Sequence, residues 1–302
     1  MFRQCESRNS RAVSGKPFSI WVDMAILSAG ADLTALQVFL RRQPILNSVA
    51  LTLVSRAMAS GEERTKLFAA TAEADGEIVA AALRSDFPKM VLAAQSGDGQ
   101  MADLARLVYS QMPDLPCVLG AETHVPAFVA EWSRLGGGSG RLGIPQRIHA
   151  LDAVKPYREV SGALRVAGKP DLDRVLDWFR AFEMEALPEA TWSGEAGRQA
   201  VTRGIESAAY FLWSDPAPVS MAGRHESGER MARIGPVYTP PEFRRRGYGG
   251  ALTAAVSQKM LDSGCDACCL FTDLTNRTSN HIYAEIGYAP VADIIEYWFD
   301  GA

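Results

Sequence analysis

The order of predicted helices and strands is repeated along this chain, and the repetition restricts the possible folds more than any other feature. Apolar spacing gives the same succession in each half: two helices, three strands, a helix, a strand, a helix and a final strand. The three consecutive strands are expected at residues 66–72, 77–84 and 89–94, and again at 208–213, 219–223 and 233–238. We therefore predict two copies of one unit, joined near residues 152–162.

Local signals mark the ends of several helices. Asp32 precedes an apolar helix, and Pro44 suits the first turn of a second helix that Gly61 ends. In the second half, Asp171 is expected to cap the first helix. The later helices are expected at residues 101–112, 125–135, 193–207, 249–263 and 279–286, and the remaining strands near 117–119, 147–151, 267–272 and 292–299.

Both halves combine an antiparallel run of strands with helices. This predicts the α/β (α+β) class, with a mixed, mostly antiparallel sheet flanked by helices in each of two tandem domains. A chain of 302 residues suits two ordinary domains, which we expect at residues 24–155 and 156–302. Residues 1–23 are polar and unpatterned, so they are expected to be a loose tail. Met24 is then either the natural start or the end of an ordinary frayed terminus.

Composition and charge exclude several classes of function. The chain is 47% hydrophobic and 22% charged, as in globular proteins, and its net charge of −4 argues against nucleic acid as a partner. Its longest apolar runs, such as residues 78–83, are far shorter than the roughly 20 residues of a membrane span. No apolar stretch suitable for a secretory signal follows the first arginines, so a cytoplasmic location is predicted.

Five cysteines are present, and three of them stand together as Cys265, Cys268 and Cys269. A zinc site is one interpretation of the first two, but no second pair has matching spacing. The other interpretation is that Cys268 and Cys269 pack as small hydrophobic residues in a strand. We favour packing and expect no metal.

A loop rich in arginine and glycine separates a strand ending at Tyr238 from a helix starting near Gly249. It contains Arg244, Arg245, Arg246, Gly247, Tyr248, Gly249 and Gly250. Glycines let a turn direct several backbone N–H groups toward one point, at the positive end of a helix dipole, which favours an anion. The spacing differs from that of a P-loop and of the Gly-x-Gly-x-x-Gly dinucleotide motif, so another phosphate ligand is indicated.

The order strand, Arg-x-x-Gly-x-Gly, helix resembles the coenzyme A pyrophosphate loop of the GNAT superfamily of N-acetyltransferases. Residues 237–242 look like that family's strand end, and residues 276–288 look like its next signature. The similarity is sharp over residues 233–291, and the whole chain is similar to tandem GNAT proteins whose first copy is degenerate. The resemblance implies a catalytic, acetyl-CoA-binding domain at 156–302 and a non-catalytic GNAT-like domain at 24–155.

This resemblance also implies which residues bind each part of coenzyme A. The pantetheine chain would lie along the backbone of Val237, Tyr238 and Thr239, and Asn276 would fix it, with Ser279 and Asn280 as weaker candidates. The pyrophosphate would bind the loop residues Arg244, Arg245, Arg246, Gly247, Tyr248, Gly249 and Gly250. For Asn276 and Ser279 the alternative is that one of them simply caps the following helix.

Tyr283 lies seven positions after Asn276, as the family pattern requires, and is the predicted general acid. A tyrosine stays protonated at neutral pH and can donate to a departing thiolate; the alternative is a core aromatic residue. The implied reaction is direct attack by a primary amine on acetyl-CoA in a ternary complex, with no covalent enzyme intermediate. Glu183, Glu185, His225 or water would remove the amine proton.

The first half lacks the features that carry this chemistry. Its matching loop, residues 94–100, has an acid in place of the arginines, and its later helix contains Phe128 and Trp132 but no tyrosine. We expect it to be non-catalytic, either shaping the acceptor pocket or only packing against the second half. A non-catalytic acyl-CoA sensor remains the alternative function. The acceptor's identity stays open, as does the choice between monomer and homodimer.

Overall fold

The computed structural model describes residues 23–27, 32–85, 89–95, 98–186, 194–226 and 230–300. The predicted loose tail, residues 1–23, lies outside these ranges except for Asp23, which begins the first strand. Two other predictions fall partly outside them: the first half's loop at 94–100, and the start of the helix predicted at 193–207.

The first half contains five helices and seven strands among the described residues. The helices are α1 (Leu33–Leu40), α2 (Ser48–Ala59), α3 (Gly61–Lys66), α4 (Asp98–Gln111) and α5 (Val125–Arg134). The strands are β1 (Asp23–Leu27), β2 (Phe68–Ala74), β3 (Glu77–Arg84), β4 (Lys89–Ala94), β5 (Cys117–Ala121), β6 (Gly140–Leu142) and β7 (Gln146–Leu151).

The second half repeats this order without counterparts of α3 and β6 among the described residues. Its helices are α6 (Leu172–Ala186), α7 (Gly194–Glu206), α8 (Tyr248–Asp262) and α9 (Arg277–Ile286). Its strands are β8 (Ala163–Val166), β9 (Tyr210–Ser214), β10 (Pro218–Glu226), β11 (Met231–Tyr238), β12 (Ala267–Asp273) and β13 (Ala289–Phe299). The predicted repetition of element order is confirmed.

All thirteen described strands belong to one sheet. Its order is β1-β2-β3-β4-β5-β13-β7-β12-β11-β10-β9-β8, and β6 pairs separately with β13. Only β4–β5 and β11–β12 are parallel, so the predicted α/β class with a mostly antiparallel sheet is confirmed. The sheets of the two halves are continuous, and their last strands are exchanged: β13 lies beside β5, whereas β7 lies beside β12.

Successive side chains of a strand point to opposite faces of the sheet, so helices can pack on both faces in each half. On β2, Ala69 packs with α1 and α2, and Ala70 packs with α4 and α5. On the second half's sheet, Leu212 and Met221 pack with α6 and α7, whereas Ile234 packs with α8. Each half therefore has its own core on each face. No helix of the described residues is long and apolar enough to cross a membrane.

Some predicted boundaries were wrong. Gly61 does not end the second helix; α2 runs from Ser48 to Ala59, and Gly61 begins α3 behind the cap that Ser60 provides. Pro44 lies before α2 and not in its first turn. The strands β1, β6 and β8 were not predicted, because three to five residues carry too little periodicity to distinguish a strand from a connection.

Candidate active site

The two parallel strands at the centre of the second half separate from each other. The β11–β12 pairing covers Met231–Arg233 against Ala267–Cys269 and extends no further. The register between β10 and β11 shifts in the same region, where Ala222 opposes Val237 but Arg224 opposes Ile234. The end of β11, on the side that faces β12, therefore borders an opening in the sheet. Ligands of such sheets bind where neighbouring strands part.

The helix α8 begins at this opening. Gly247 is its N-cap, in the left-handed region with φ of 90°, and it has no side chain to cap the first turn. The N–H groups of Tyr248, Gly249 and Gly250 belong to that turn, where α-helical N–H groups have no intrahelical acceptor. The neighbouring Arg245 also has a positive φ, of 62°. The loop therefore passes through two residues of positive φ, Arg245 and Gly247, into a first helical turn that no side chain caps. We call this turn, residues 247–250, the cradle.

The three loop arginines are not equivalent. Arg244 donates from Nε to the Thr239 carbonyl at 2.8 Å and from Nη2 to Glu185 Oε2 at 2.6 Å, and it lies over the Tyr238 ring. It therefore holds the loop against α6. Arg245 and Arg246 are exposed beside the cradle. Among the described contacts, Arg244 is the one of the three that forms an ion pair.

The predicted pantetheine residues lie along the last part of β11. Val237 and Tyr238 remain paired with β10 on their other side. The Thr239 carbonyl is occupied by Arg244, and its hydroxyl lies 2.8 Å from Ser220 Oγ. The Thr239 backbone N–H takes part in neither of these contacts.

Asn276 has the capping role that the sequence left as an alternative. Its Oδ1 accepts from the Ser279 N–H at 3.0 Å at the start of α9. Asn280 donates from Nδ2 to the carbonyls of Asp273 and Leu274, while its own Oδ1 is buried with no hydrogen-bond partner. The start of α9 and the start of α8 both follow the carboxyl ends of parallel strands, so they lie at one edge of the sheet. Asn280 therefore has an unused acceptor oxygen at this edge, whereas the Asn276 oxygen is occupied by the helix cap. Residue type alone could not distinguish the two asparagines.

Tyr283 lies on α9 and is half-buried, packed against the core cluster that includes α8. Its ring meets that of Tyr288 edge-on, with centroids 5.9 Å apart, and burial raises the pKa of Tyr283 to about 12. Tyr288 is held by a hydrogen bond with Ser257, whose oxygen lies 2.7 Å from the phenol oxygen. Ile286 and Tyr288, which flank Tyr283 in sequence, are both buried.

The structure separates the three candidate bases. Glu185 is exposed and occupied by Arg244 and by the Tyr238 hydroxyl, which donates to it at 3.1 Å. Burial lowers the pKa of His225 well below its usual value, and the charges of Arg233 and Arg56 lower it further. Burial raises the pKa of Glu183. His225 and Glu183 are therefore the two that can accept a proton without first leaving an ion pair.

Arg233 was not selected from the sequence, yet it stands where the two strands part. It opposes His225 on β10 and Cys269 on β12, and its guanidinium lies over the Phe271 ring. Its Nη2 reaches Thr52 of α2 at 3.5 Å, while its Nε is buried without a hydrogen-bond partner. Burial lowers the pKa of Arg233 to about 10. The first half therefore contacts the second at the opening in the sheet.

The first half has an opening of its own. Its parallel strands pair over Lys89–Val91 against Cys117–Leu119 and then part. A cleft beside them is lined by Gln43, Gln95, Glu122, His124, Arg147 and Asp293. On α5, Phe128 and Trp132 are fully buried and stack at 5.7 Å, so this helix fills the core where α9 carries Tyr283.

The cysteines of β12 pack as predicted. Cys268 and Cys269 are fully buried, and burial raises the pKa of Cys268 to about 12. Cys265 lies partly exposed before the strand. Across the described parts of the chain, no group of three or more His, Cys, Asp or Glu side chains could hold a metal ion.

Comparison with known proteins supports the resemblance. A family model described as FR47-like protein matches residues 216–298, which span the opening, the cradle and α9. A GCN5-related N-acetyltransferase from Sphaerobacter thermophilus shares the fold over 91% of this chain and 94% of its own, with a TM-score of 0.60 and 16% identity. The comparison with curated proteins finds no match.

Two further structures cover almost the whole chain. A GNAT-family acetyltransferase from Colwellia psychrerythraea covers 92% of this chain and 100% of its own, with a TM-score of 0.56 and 12% identity. A tandem GNAT protein from the clavulanic acid biosynthesis pathway covers 92% and 98%, with a TM-score of 0.54 and 13% identity. The chain therefore has the GNAT fold, as its sequence predicted, and some proteins that share this fold are tandem.

Proposed function

We propose that this protein is an N-acetyltransferase that uses acetyl-CoA and a primary amine, with the active site in its second half. The observation that carries the proposal is the separation of β11 from β12 directly beside the uncapped first turn of α8. An extended arm and a diphosphate need these two features next to each other. Domain limits of 24–155 and 156–302, a cytoplasmic location and a monomeric or homodimeric state accompany the proposal.

The residues present fit coenzyme A. A Cβ on Gly250 would lie 2.2 Å from the Tyr157 hydroxyl and 3.0 Å from Ile282, so glycine is needed for the first turn of α8 to pack this closely against these two side chains. The N–H groups of Tyr248, Gly249 and Gly250 would hold the phosphates, with Arg245 and Arg246 adding charge. The backbone of Val237 and Tyr238 and the N–H of Thr239 would hold the arm, together with Asn280, the amide NH₂ of Asn276, and Ser279.

Bound acetyl-CoA would supply an activated acetyl group as a thioester. The Tyr283 hydroxyl stays protonated because its pKa is raised to about 12, so it can donate a proton where the thiolate leaves. Either Glu183 or His225 would take the proton from the attacking amine, alone or through water. The N–H of Val237 would polarise the carbonyl; the neighbouring Pro236 has no N–H to offer.

The first test offers purified protein acetyl-CoA with a panel of amines and follows release of the thiol. We expect thiol release that depends on the amine and the appearance of an N-acetyl product by mass spectrometry. The alternative, a non-catalytic acyl-CoA sensor, would bind acetyl-CoA in calorimetry but release no thiol with any amine. Failure to bind coenzyme A would contradict both functions.

A further inference from the structure

The segment that connects the two halves, residues 152–162, runs along the groove between α9 and α8. It is fixed at one end, where the Lys155 N–H donates to the Ile286 carbonyl at 2.8 Å at the end of α9. At its other end, the Ser161 carbonyl accepts from Trp213 Nε1 at 2.8 Å. We call these eleven residues the connecting segment. Its course is therefore determined by the second half.

A second set of contacts ties this segment to the first residue of α8. Asp215 Oδ2 accepts from Ser161 Oγ at 2.5 Å and from the Tyr248 hydroxyl at 2.6 Å. These hydrogen bonds lower the pKa of Asp215, with a smaller contribution from the charge of Arg246. The end of the connecting segment and the start of the cradle thus share one carboxylate.

Between its two anchored ends, the segment touches the cradle directly. A Cβ on Gly247 would lie 2.7 Å from Nη2 and 2.9 Å from Nε of Arg158, so the guanidinium lies against the N-cap of α8. The Tyr157 hydroxyl lies against Gly250 of α8, and Arg158 is 5.8 Å from the centre of the Tyr157 ring. The glycines permit this approach, because any side chain would exclude it.

The polar groups of Arg158 and Tyr157 lack partners among the described residues. Among the described residues, no carboxylate forms an ion pair with Arg158, which is exposed. The Tyr157 hydroxyl is buried and has no hydrogen-bond partner. A cation and an unused donor therefore lie beside the first-turn N–H groups of α8, which also favour an anion.

We propose that Arg158, from the connecting segment, is a phosphate-binding residue of the coenzyme A site. Arg158 would supply positive charge in place of Arg244, whose guanidinium is paired with Glu185. The Tyr157 ring would keep the Arg158 guanidinium over Gly247. The connection between the halves would then be part of the cofactor site. This inference rests on the proposed function, since it assumes that the cradle holds coenzyme A.

The experiment measures coenzyme A affinity by calorimetry for the full-length protein and for Arg158→Lys, Arg158→Ala and Arg158→Glu. A lost charge-assisted contact predicts about tenfold weaker binding for the alanine variant. We expect the lysine variant to bind more tightly, and the glutamate variant more weakly, than the alanine variant. Because screening weakens interactions between exposed charges, the difference between wild type and Arg158→Ala should shrink as salt is raised.

Two controls make the result decisive. Arg134→Ala removes an exposed arginine from α5 and should leave the affinity unchanged, and thermal unfolding should show that all variants are folded. Equal affinities for wild type and Arg158→Ala, equal losses across the three variants, or tighter binding after the charge is removed would each overturn the inference while leaving the proposed function intact. A wild-type protein that does not bind coenzyme A would instead refute the proposed function.

Discussion

Lys89 of β4 forms an ion pair with Glu296 of β13, and their side chains are only 6% and 5% exposed. The two residues are separated by 207 positions in sequence, and the pair joins the first half to the last strand of the chain. Glu296 also accepts from Trp298 Nε1 at 3.3 Å and from Gln146 Nε2 at 3.4 Å, and Lys89 lies 5.5 Å from the Trp298 ring. The exchange of last strands is therefore fixed by polar contacts as well as by the sheet.

Lys89→Met leaves the Glu296 carboxylate buried without its cation. We expect the free energy of unfolding to fall by about 3–5 kcal/mol, because removing one partner of a buried pair leaves an uncompensated charge. Urea denaturation at pH 7 measures the change. Adding Glu296→Leu to Lys89→Met should restore most of the loss.

The matched control for this buried ion pair is an ion pair at the surface. Arg230 and Asp266 form an ion pair whose side chains are 68% and 65% exposed. Arg230→Met should change the free energy of unfolding by less than about 1 kcal/mol, because water screens such pairs. If the buried and exposed substitutions cost the same, the ion pair does not fix the exchange of strands.

Gly247→Ala tests the cradle, and Gly264→Ala is its matched control. Both glycines have positive φ, of 90° and 100°, so either substitution should cost about 1–2 kcal/mol of stability through backbone strain. A Cβ at Gly264 meets open space, whereas one at Gly247 meets Arg158. We expect at least a tenfold loss of coenzyme A affinity for Gly247→Ala alone, measured by calorimetry. Equal affinities in the two variants would contradict the cradle.

Tyr283→Phe removes the proposed proton donor and keeps the ring. We expect kcat to fall about a hundredfold, within the usual contribution of a general acid, with little change in KM for acetyl-CoA. Because the pKa of Tyr283 is raised to about 12, its deprotonation should not limit the wild-type rate at any pH below 10. Steady-state kinetics from pH 6 to 10 measure both effects.

Tyr288→Phe provides the comparison for Tyr283→Phe, because the two tyrosine rings pack edge-on against each other. Its hydroxyl is bonded to Ser257, so the variant should lose about 1 kcal/mol of stability with an unchanged kcat. A normal kcat in Tyr283→Phe, or an equal drop in both variants, would remove Tyr283 from the chemistry.

Periodicity predicted the larger elements well, for reasons seen in the core. Leu36 and Leu40 of α1 are fully buried, and so are Leu252 and Val256 of α8, four residues apart in each case. The loop before α8 was predicted because glycine at a positive φ and a cluster of arginines leave a local signature. Such features depend on residues close together in sequence.

What could not be predicted depends on residues far apart. The alternating pattern of β13 shows that it is a strand but not that β5 and β7 are its neighbours. Arg158 lies in a segment with no periodicity, and only the folded chain brings it to Gly247. Likewise, the residues near Arg233 in sequence indicate neither the opening in the sheet nor the contact between Arg233 and Thr52.

Glu183→Gln separates a catalytic carboxylate from a structural one. Burial raises the pKa of Glu183, so the folded protein holds this proton more tightly than the unfolded chain does. The stabilisation is complete below the unfolded pKa, near 4.5, and is lost as pH rises through the folded value. As pH rises above 4.5, the desolvation of this carboxylate should therefore destabilise the fold, and near neutral pH Glu183→Gln should melt at a higher temperature than wild type. At pH 4 the two should melt alike.

If Glu183 is also the base, the same variant should lose activity, and the fall of kcat/KM toward acid pH should disappear with it. Glu185→Gln is the control on the same helix: Glu185 is exposed and paired with Arg244, so this variant should leave that pH dependence in place. His225→Gln tests the competing base in the same assay. A Glu183→Gln variant with wild-type kinetics and a raised melting temperature would assign the proton transfer to His225 or to water, and would leave Glu183 as a residue that only costs stability.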